Sequence, residues 1–437
     1  MASPAPDRAA AEPRSALDLA AVEGRPDTAR ERMPLSEWNR RIEVLERAPV
    51  FFTLPAATLR ATARRLRPIE LRAGAVAINQ GEVVDSVLIV ESGRMALRVE
   101  ETPGRTITVG LLGPGELFGE SGCLAQEPSP AAMVAVEDTR VLALDRQSLE
   151  QLLADEPDAV AGLQRLGDQR VRTFPALVVT AGRDQGTDLA EVVAVYSAKG
   201  GSGKTTIALN LAAELARSHP GQVLLVDLAL PFNHAALLAN LVPSGSLARV
   251  VAARPERLDE ALLGAVLYHS SGMLMLPGTL KAEEADALQP QHVHAALDIL
   301  RTAFRYIVID LSTSLDDITL AALEESQRLV LVTTPELATL HGASELGEIL
   351  SIAVGVPPEA ITMVLNQRSP KTALSREAVA RAIEREIDVE VRHDGVRADE
   401  AALRGVLSHD DPKSEITIGA RSLADLIESA RPRRGGD

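Results

Sequence analysis

The pattern of hydrophobic and polar residues changes along this chain and divides it into distinct regions. Residues 1–33 show no hydrophobic period and are rich in Ala, Pro, Asp and Arg, which predicts a disordered tail. From about residue 50 to residue 145, short apolar runs alternate with turn residues such as Pro114-Gly115. Regular short strands of this kind are typical of a β-sandwich or barrel. From Glu191 onward, apolar strands alternate with helical periods, which predicts a parallel sheet with helices on both faces.

Helices and a linker separate these two regions. The apolar spacing predicts helices at about Leu35–Arg47 and Ala56–Leu66 before the strands, and a helical stretch from Arg146 to about Arg172 after them. The segment 174–190 contains a proline and two glycines, so we expect a linker there. The predicted organisation is a disordered tail, a β domain with flanking helices, a linker, an α/β domain and a short tail, at residues 1–33, 34–173, 174–190, 191–430 and 431–437.

Composition narrows the classes of partner. With 437 residues, of which 46% are hydrophobic, the chain can form two or three domains with buried cores. Aromatic residues make up only 2%, which disfavours a nucleic-acid surface based on base stacking. The net charge of −16 also argues against DNA and anionic lipids as partners, although a local basic patch remains compatible with it.

Cysteine content and apolar run lengths bear on the compartment. The one cysteine, Cys123, allows neither a disulfide framework nor a Cys-rich metal site within one chain, and we expect a buried packing thiol. With no apolar leader near Met1 and no apolar run of about 18 residues, we expect a cytoplasmic protein. The helix predicted near 420–430 contains Asp425 and Glu428 and no aromatics, so we expect packing against its own domain rather than membrane contact.

The strongest motif lies between Val192 and Thr206, where an apolar strand runs into a glycine-rich loop and the loop runs into a helix. Glycines let successive backbone amides converge on phosphate oxygens, and the N-terminus of the helix adds a favourable partial charge. In this pattern Lys204 would reach the outer phosphates, and the hydroxyl of Thr205 would hold Mg²⁺. The motif therefore predicts a triphosphate site at Gly200, Gly201, Ser202, Gly203, Lys204, Thr205 and Thr206.

The beginning of this loop departs from the ordinary P-loop. The glycine expected six residues before Lys204 is Ala198, and an additional lysine, Lys199, precedes the glycines. The loop thereby resembles that of the ParA/MinD/nitrogenase-iron-protein group, whose deviant P-loop binds ATP. The resemblance implies an α/β P-loop NTPase domain and an ATP-dependent homodimer, in which Lys199 reaches across the interface to the other subunit's nucleotide. It also implies catalytic roles for Lys199, Lys204 and Asp227.

The second strand of the resembled group ends in two acidic residues spaced by one. Here the strand ends in the first of them, Asp227, which the resemblance places in the Mg²⁺ region. The second position, which orients the attacking water in that group, is Ala229, and an alanine can neither accept a proton nor hold a water. Because phosphoryl transfer depends on positioning, we expect a weak ATPase or one that relies on another group.

Two later strands contribute further candidates. The strand Tyr306–Asp310 is typical of Walker B, so Asp310 is expected to hold a Mg²⁺-bound water and to form the metal site with Thr205. Another strand ends at Asn366, for which an adenine contact and a simple turn role both remain open.

Within the resembled group, the sequence is most similar to the CpaE/TadZ-like branch, which is associated with pilus assembly and polar positioning. The similarity covers about residues 190–370 and rests on the segments 246–260, 310–320 and 332–337. It implies an unidentified protein partner that reads the nucleotide state, and a polar or membrane-associated position reached through that partner.

The β domain resembles the cyclic-nucleotide-binding domain family, which has a jelly-roll barrel. The resemblance rests on segments such as Glu91–Arg94 and Gly113–Glu120, and it implies a phosphate-binding cassette at Gly119, Glu120 and Ser129. The arginine that pairs with the phosphate in this family should fall at Ser129 or Pro130, and neither residue is charged. Binding of cAMP or cGMP, binding of another ligand, and a dimerisation or docking role therefore remain open.

Three functions are compatible with these patterns. The first is an ATP-dependent dimerising switch of the ParA/MinD class that is regulated through the barrel. The second is a scaffold that binds ATP without hydrolysing it, which Ala229 favours. The third is a cyclic-nucleotide-responsive transcription regulator, although no helix-turn-helix pattern follows the barrel.

Overall fold

A computed structural model describes residues 34–48, 50–51, 54–102, 105–181, 189–253, 258–353, 356–370, 374–404, 407–408 and 411–430. The tails predicted at 1–33 and 431–437 lie outside these residues, as does the middle of the predicted linker. Internal contacts define two compact units: residues 1–106 with 112–164, and residues 107–111 with 165–437.

The N-terminal half contains antiparallel strands that are preceded and followed by helices. Its helices are α1 Leu35–Arg47, α2 Ala56–Arg65, α3 Arg146–Leu152 and α4 Pro157–Ala181, with a π-helical turn at Ser121–Ala125. Its strands are β1 Arg67–Leu71, β2 Val76–Ile78, β3 Ser86–Ser92, β4 Met95–Thr102, β5 Arg105–Leu112, β6 Leu117–Phe118, β7 Ala132–Ala135 and β8 Thr139–Asp145. The strand orders β1-β8-β3-β6 and β2-β7-β4-β5 confirm the predicted antiparallel β domain.

The second unit is a mostly parallel sheet covered by helices. Its strands are β9 Glu191–Tyr196, β10 Val223–Leu228, β11 Leu267–Tyr268, β12 Leu274–Pro277, β13 Tyr306–Leu311, β14 Arg328–Thr333, β15 Ile361–Asn366 and β16 Val389–Val391. Its helices are α5 Lys204–Ser218, α6 Ala235–Leu238, α7 Leu247–Ala252, α8 Leu258–Gly264, α9 Pro290–Ala303, α10 Asp317–Glu324, α11 Leu337–Ala353, α12 Arg376–Ala382, α13 Arg397–Arg404 and α14 Glu415–Ala430, with 3₁₀ turns at Ala282–Ala287 and Pro358–Ala360. The predicted α/β fold is confirmed.

Strand order explains where a site can form in this unit. The order is β11-β12-β10-β13-β9-β14-β15-β16, and β11 is the antiparallel edge strand. The chain leaves β9 towards β10 on one side of it, whereas β14 and the strands after it lie on the other side. The loop after β9 therefore lies at the topological switch point, at the edge where the carboxyl ends of the parallel strands meet.

The core of this unit follows from its aliphatic sequence. Strands β9, β10 and β13 are runs of Val, Leu and Ile that are buried on both faces, as expected for a sheet covered on both sides. Helix α14 contributes Leu423 and Ile427, each 1% exposed, to the same buried cluster as Leu211 of α5. The C-terminal helix therefore packs against its own domain, as the sequence predicted.

The structure corrects several sequence-based boundaries. Helix α4 continues through Pro175 to Ala181, so residues 174–181 of the predicted linker are helical and the predicted end near Arg172 came too early. Elements of two to four residues, such as β6, β11 and β16, were not predicted because they are too short to show a period. Helix α11 was missed because exposed apolar residues, such as Leu337 and Ile349, weaken the contrast between its polar and apolar faces.

Candidate functional site

The loop between β9 and α5 takes a conformation that requires glycine. Gly201 and Gly203 have φ values of 75° and 93°, in the left-handed region where residues with a Cβ are strained. A Cβ at Gly203 would also lie 2.3 Å from the side-chain nitrogen of Asn366. Gly200 has no such constraint, since a Cβ there would meet nothing within 4 Å. The sequence thus supplies glycine at the two places where the backbone turns.

Lys204 begins helix α5 and is unusually buried for a lysine. Its exposure is 8%, and burial lowers the pKa of its ammonium group, an effect that the carboxylate of Asp310 opposes. Next to it, Ser202 is 3% exposed, and none of the described residues forms a hydrogen bond with its hydroxyl. A buried cation and an unpartnered hydroxyl at a helix N-terminus are features of an anion site.

Thr205 and Asp310 form the polar centre below the loop. The hydroxyl of Thr205 donates to Oδ2 of Asp310 at 2.6 Å, and Asp310 is fully buried at the end of β13. Its other oxygen, Oδ1, has no hydrogen-bond partner among the described residues. Burial and the nearby Asp227 carboxylate raise the pKa of Asp310 to about 8. A threonine hydroxyl beside an unsatisfied carboxylate oxygen fits Mg²⁺, which prefers hard oxygen ligands.

Asp227 lies beside Asp310 in the sheet register but uses its carboxylate differently. One oxygen accepts from the amide of Ala229 at 3.1 Å, and the other accepts from the amide of Ala235 at 3.0 Å. Asp227 is 1% exposed, and burial raises the pKa of its carboxyl group. The residue therefore organises the segment that contains Ala229, and its predicted support of Mg²⁺ remains a prediction.

Lys199 lies at the exposed start of the loop, in contrast to the buried Lys204. Its ammonium forms an ion pair with Glu336, just before α11, and both side chains are about half exposed, at 47% and 57%. The hydrogen bond from Lys199 lowers the pKa of Glu336. Gly342 of α11 lies so close to Ala198 that a Cβ at Gly342 would be 2.6 Å from the Ala198 methyl. Helix α11, which the sequence did not reveal, thus borders the loop.

The end of β15 contacts the opposite part of the loop. The side-chain nitrogen of Asn366 donates to the carbonyl of Ser202 at 2.8 Å, and Arg368 donates to the carbonyl of Gly201. The sequence had left an adenine contact and a turn role open for Asn366, and the structure shows a bond to the loop. Arg368 was missed, since a single arginine after a strand carries no signal of its own.

A cavity of about 420 Å³ extends from the loop along α5. Thr206 and Asn210 line one side of it, and the segment after β16 lines the other. Sequence reasoning missed the lining residues of that segment because β16 itself was not recognised; they are Arg392, His393, Asp394 and Gly395. The cavity provides room beside the loop for the remainder of a nucleotide.

The predicted cassette of the first unit is buried, and its polar groups include some that bond within the unit. Gly119 has φ 96°, and a Cβ there would lie 2.6 Å from the carbonyl of Ser86. Glu120 is 1% exposed and Ser129 is 4% exposed. The hydroxyl of Ser129 donates to the carbonyl of Ala131 at 2.7 Å, and its amide donates to the carbonyl of Glu82 at 2.8 Å. Of the two candidates for the arginine position, Ser129 is neutral, buried and already bonded, and Pro130 is also uncharged, so neither provides a cation for a cyclic phosphate.

Cys123 lies within the same cassette, in the π-helical turn. It is completely buried, and burial raises the pKa of its thiol to about 12. The prediction of a buried packing thiol is therefore confirmed. Among the described residues, no helix is both long enough and apolar enough to cross a membrane.

Comparison with known proteins finds a matching domain family in each of two parts of the chain. Residues 68–156 match the family model of the cyclic nucleotide-binding domain, and residues 190–354 match that of an AAA domain. The chain therefore joins a cyclic nucleotide-binding domain to a ParA/MinD-type AAA domain, and the predicted fusion is confirmed.

Individual relatives each cover one part of the chain. The CRP-like cAMP-activated global transcriptional regulator of Mycobacterium tuberculosis is 26% identical over 130 residues, which are 30% of this chain and 58% of that protein. A ParA family protein of Chlamydia muridarum is 26% identical over 228 residues, covering 49% of this chain and 88% of that protein. The structure of the Pyrococcus furiosus cell division ATPase MinD is 26% identical and covers 55% of this chain and 99% of its own, with a TM-score of 0.49. The chain thus spans less than two thirds of the first relative's length.

Proposed function

We propose that this chain binds Mg-ATP at the loop after β9 and acts as a nucleotide-dependent dimerising switch. The observation that carries the proposal is the buried Lys204 beside the Thr205–Asp310 pair, at the end of a loop that bends through glycines. A buried cation and an unsatisfied carboxylate oxygen are costly in an isolated fold. A magnesium-bound triphosphate would satisfy both groups at once.

Different residues of the site would bind different parts of the ligand. The amides of residues 200–204 and the Lys204 ammonium would bind the phosphates, while Thr205 and Asp310 would hold Mg²⁺ or its waters. The metal would supply charge neutralisation on the phosphate oxygens. The base and ribose would occupy the adjoining cavity of about 420 Å³, with Asn366 at its inner wall.

Lys199 supports the dimerising part of the proposal. Its side chain is 47% exposed and is held by Glu336 rather than by the loop, so it is available to a second subunit once that ion pair opens. An exposed pair of this kind contributes little stability, typically below about 1 kcal/mol, so opening it is inexpensive.

Ala229 defines the catalytic side of the proposal. It stands where the resembled group has its water-orienting carboxylate, and Asp227 is occupied by two backbone amides. We therefore propose a weak ATPase. A scaffold that keeps ATP without hydrolysing it is the second candidate, and the same alanine favours it.

The cellular role is the least specific part of the proposal. The ParA/MinD-type domain supports a role in spatial positioning or assembly. The similarity of residues 190–370 to the CpaE/TadZ-like branch relates that role to pili or secretion. The β domain would regulate the switch as a docking or dimerisation module, because its cassette does not fit a cyclic phosphate. Such a switch would act in the cytoplasm and reach a pole or membrane through a protein partner.

Light scattering of the full chain with Mg-ATP and with Mg-ADP tests the switch. We expect the molar mass to double with ATP only, and Lys199→Ala to remain monomeric with ATP while Lys413→Ala, at an exposed lysine outside the loop, dimerises normally. An unchanged mass together with no ATP binding would overturn the proposal.

A turnover assay separates the two candidates. We expect Ala229→Asp to hydrolyse ATP at least about tenfold faster than the natural chain, because a carboxylate at this position can orient water. Equal and rapid rates in both proteins would contradict the role given to Ala229, whereas nucleotide retained by the purified natural chain without turnover would favour the scaffold.

A further inference from the structure

Two side chains of the segment that ends β15 bind consecutive carbonyl groups of the phosphate loop. Asn366 donates to the carbonyl of Ser202 at 2.8 Å, and Arg368 donates to the carbonyl of Gly201. Asn366 is half-buried as the last residue of β15, whereas Arg368 is exposed. Neither bond belongs to the secondary structure, since both cross from one strand end to a loop more than 160 residues earlier, with separations of 164 and 167 residues.

Peptide geometry gives these bonds a consequence for the amides. A trans peptide is planar, and its C=O and N–H groups point in opposite directions. Fixing the carbonyl of Gly201 therefore fixes the direction of the Ser202 amide, and fixing the carbonyl of Ser202 fixes that of the Gly203 amide. Each of these two amides is therefore turned away from the donor that binds the carbonyl of its own peptide.

We propose that Asn366 and Arg368 are positioning residues that orient the Ser202 and Gly203 amides towards the phosphates. The inference rests on the proposed nucleotide site and assigns it a second layer of residues. It also gives Gly203 a second reason to be glycine, because a Cβ there would lie 2.3 Å from the donating nitrogen of Asn366 and would displace it.

A direct base contact is the alternative role for Asn366, and the two roles predict different losses. A residue that orients amides affects every ligand with a triphosphate, whatever its base. A residue that reads the base affects ATP and leaves inorganic triphosphate unchanged. Ligand identity therefore distinguishes them.

The experiment measures binding of ATP, GTP and inorganic triphosphate, each with Mg²⁺, to the full chain by calorimetry. Asn366→Leu is the decisive variant because it removes the donor without changing charge, and Arg368→Met removes the second donor. The matched control is Arg385→Met, since Arg385 also donates to a carbonyl, that of Pro358 at 2.6 Å, in an exposed hydrogen bond away from the loop. Arg368→Lys retains a donor and the charge.

We expect Asn366→Leu and Arg368→Met each to weaken all three ligands by about tenfold, which is the upper end of what one hydrogen bond contributes. Arg385→Met should bind like the natural chain, and Arg368→Lys should recover most of the loss. Unfolding temperatures of the unliganded variants check that Asn366→Leu folds, and Asn366→Ser replaces it if it does not.

Two results would overturn the inference. One is a loss confined to ATP, which would assign Asn366 to the base. The other is unchanged triphosphate binding in Asn366→Leu and Arg368→Met. If the natural chain itself binds none of the three ligands, the proposed function fails first, and that outcome is distinguishable from either result.

Discussion

The phosphate loop at 197–204 and the cassette at 119–131 share a backbone conformation but differ in whether their polar groups are hydrogen-bonded. Each contains glycine at positive φ, since Gly201, Gly203 and Gly119 have φ values of 75°, 93° and 96°, and each leads into a helical turn. In the cassette, the buried Ser129 bonds to neighbouring carbonyl and amide groups of its own chain. In the phosphate loop, the hydroxyl of Ser202 and the Asp310 Oδ1 atom have no hydrogen-bond partner among the described residues.

The difference shows how a binding loop is distinguished from a structural one. Glycine at positive φ only allows the backbone to turn, and it does so equally in both places. Binding an anion also requires polar groups that the fold has left unsatisfied and a cation nearby. Lys204 provides the cation in the phosphate loop, whereas both candidates for the arginine position of the cassette, Ser129 and Pro130, are uncharged.

The largest expected effect concerns the buried cysteine of the cassette. Cys123 is fully buried with its pKa raised from 9.0 to about 12, so at pH 8 its thiolate fraction is about 1000-fold below that of an ordinary cysteine. We expect iodoacetamide to leave the folded protein unmodified at pH 8, with a rate that rises as pH approaches 12. Mass spectrometry with and without urea measures this. Rapid alkylation of the folded chain would show an open cassette and break the comparison.

The next largest effect concerns the cation of the phosphate loop. We expect Lys204→Ala to weaken Mg-ATP binding at least about 100-fold, because losing one partner of a desolvated charge pair costs about 2–5 kcal/mol. Calorimetry measures the affinity, with Lys413→Ala as the control at an exposed lysine. If Lys204→Ala binds Mg-ATP as tightly as the natural chain, the Lys204 cation is not what distinguishes the phosphate loop from the cassette.

A glycine pair tests the backbone requirement by itself. Gly203→Ala and Gly81→Ala both place a Cβ at positive φ, at 93° and 82°, and each should lower the free energy of unfolding by about 1–2 kcal/mol. Only the Cβ at position 203 meets another group, the Asn366 amide, whereas that at 81 meets nothing within 4 Å.

The two variants should therefore differ in binding, and Gly203→Ala should also lose about 1 kcal/mol more stability through the displaced Asn366 hydrogen bond. We expect Gly203→Ala to lose about tenfold in Mg-ATP affinity, as expected for one displaced hydrogen bond, and Gly81→Ala to lose none. Denaturant unfolding and calorimetry give the two quantities. Equal affinities in both variants would contradict the close contact between Gly203 and Asn366.

The smallest expected effect is at Ser129. Ser129→Ala removes one buried hydrogen bond, so we expect the free energy of unfolding to fall by about 1 kcal/mol, with Mg-ATP affinity unchanged. Added cAMP should not raise the unfolding temperature of the natural chain. A clear stabilisation by cAMP would show that the cassette opens to a ligand and would remove the contrast with the phosphate loop.

Sequence reasoning succeeded where a pattern is local. The strand predicted at Tyr306–Asp310 is β13, observed at Tyr306–Leu311, because its apolar run continues unbroken up to Asp310, and the glycine-rich segment after β9 identified the phosphate loop. Sequence reasoning failed at β16, which has three residues, and at α11, where exposed apolar residues weaken the helical period. With them it missed Arg392, His393 and the approach of Gly342 to Ala198.

The sequence by itself determined the class of fold, the two families, and the residues whose chemistry is written locally, among them Lys199, Lys204 and the alanine at 229. Only the tertiary structure decided how these groups are satisfied. It joined Thr205 to Asp310, committed Asp227 to two amides, and brought Asn366 and Arg368 to the loop carbonyls. The physical reason is that hydrogen-bond satisfaction and desolvation depend on neighbours that are distant in sequence, whereas backbone preference and apolar period do not.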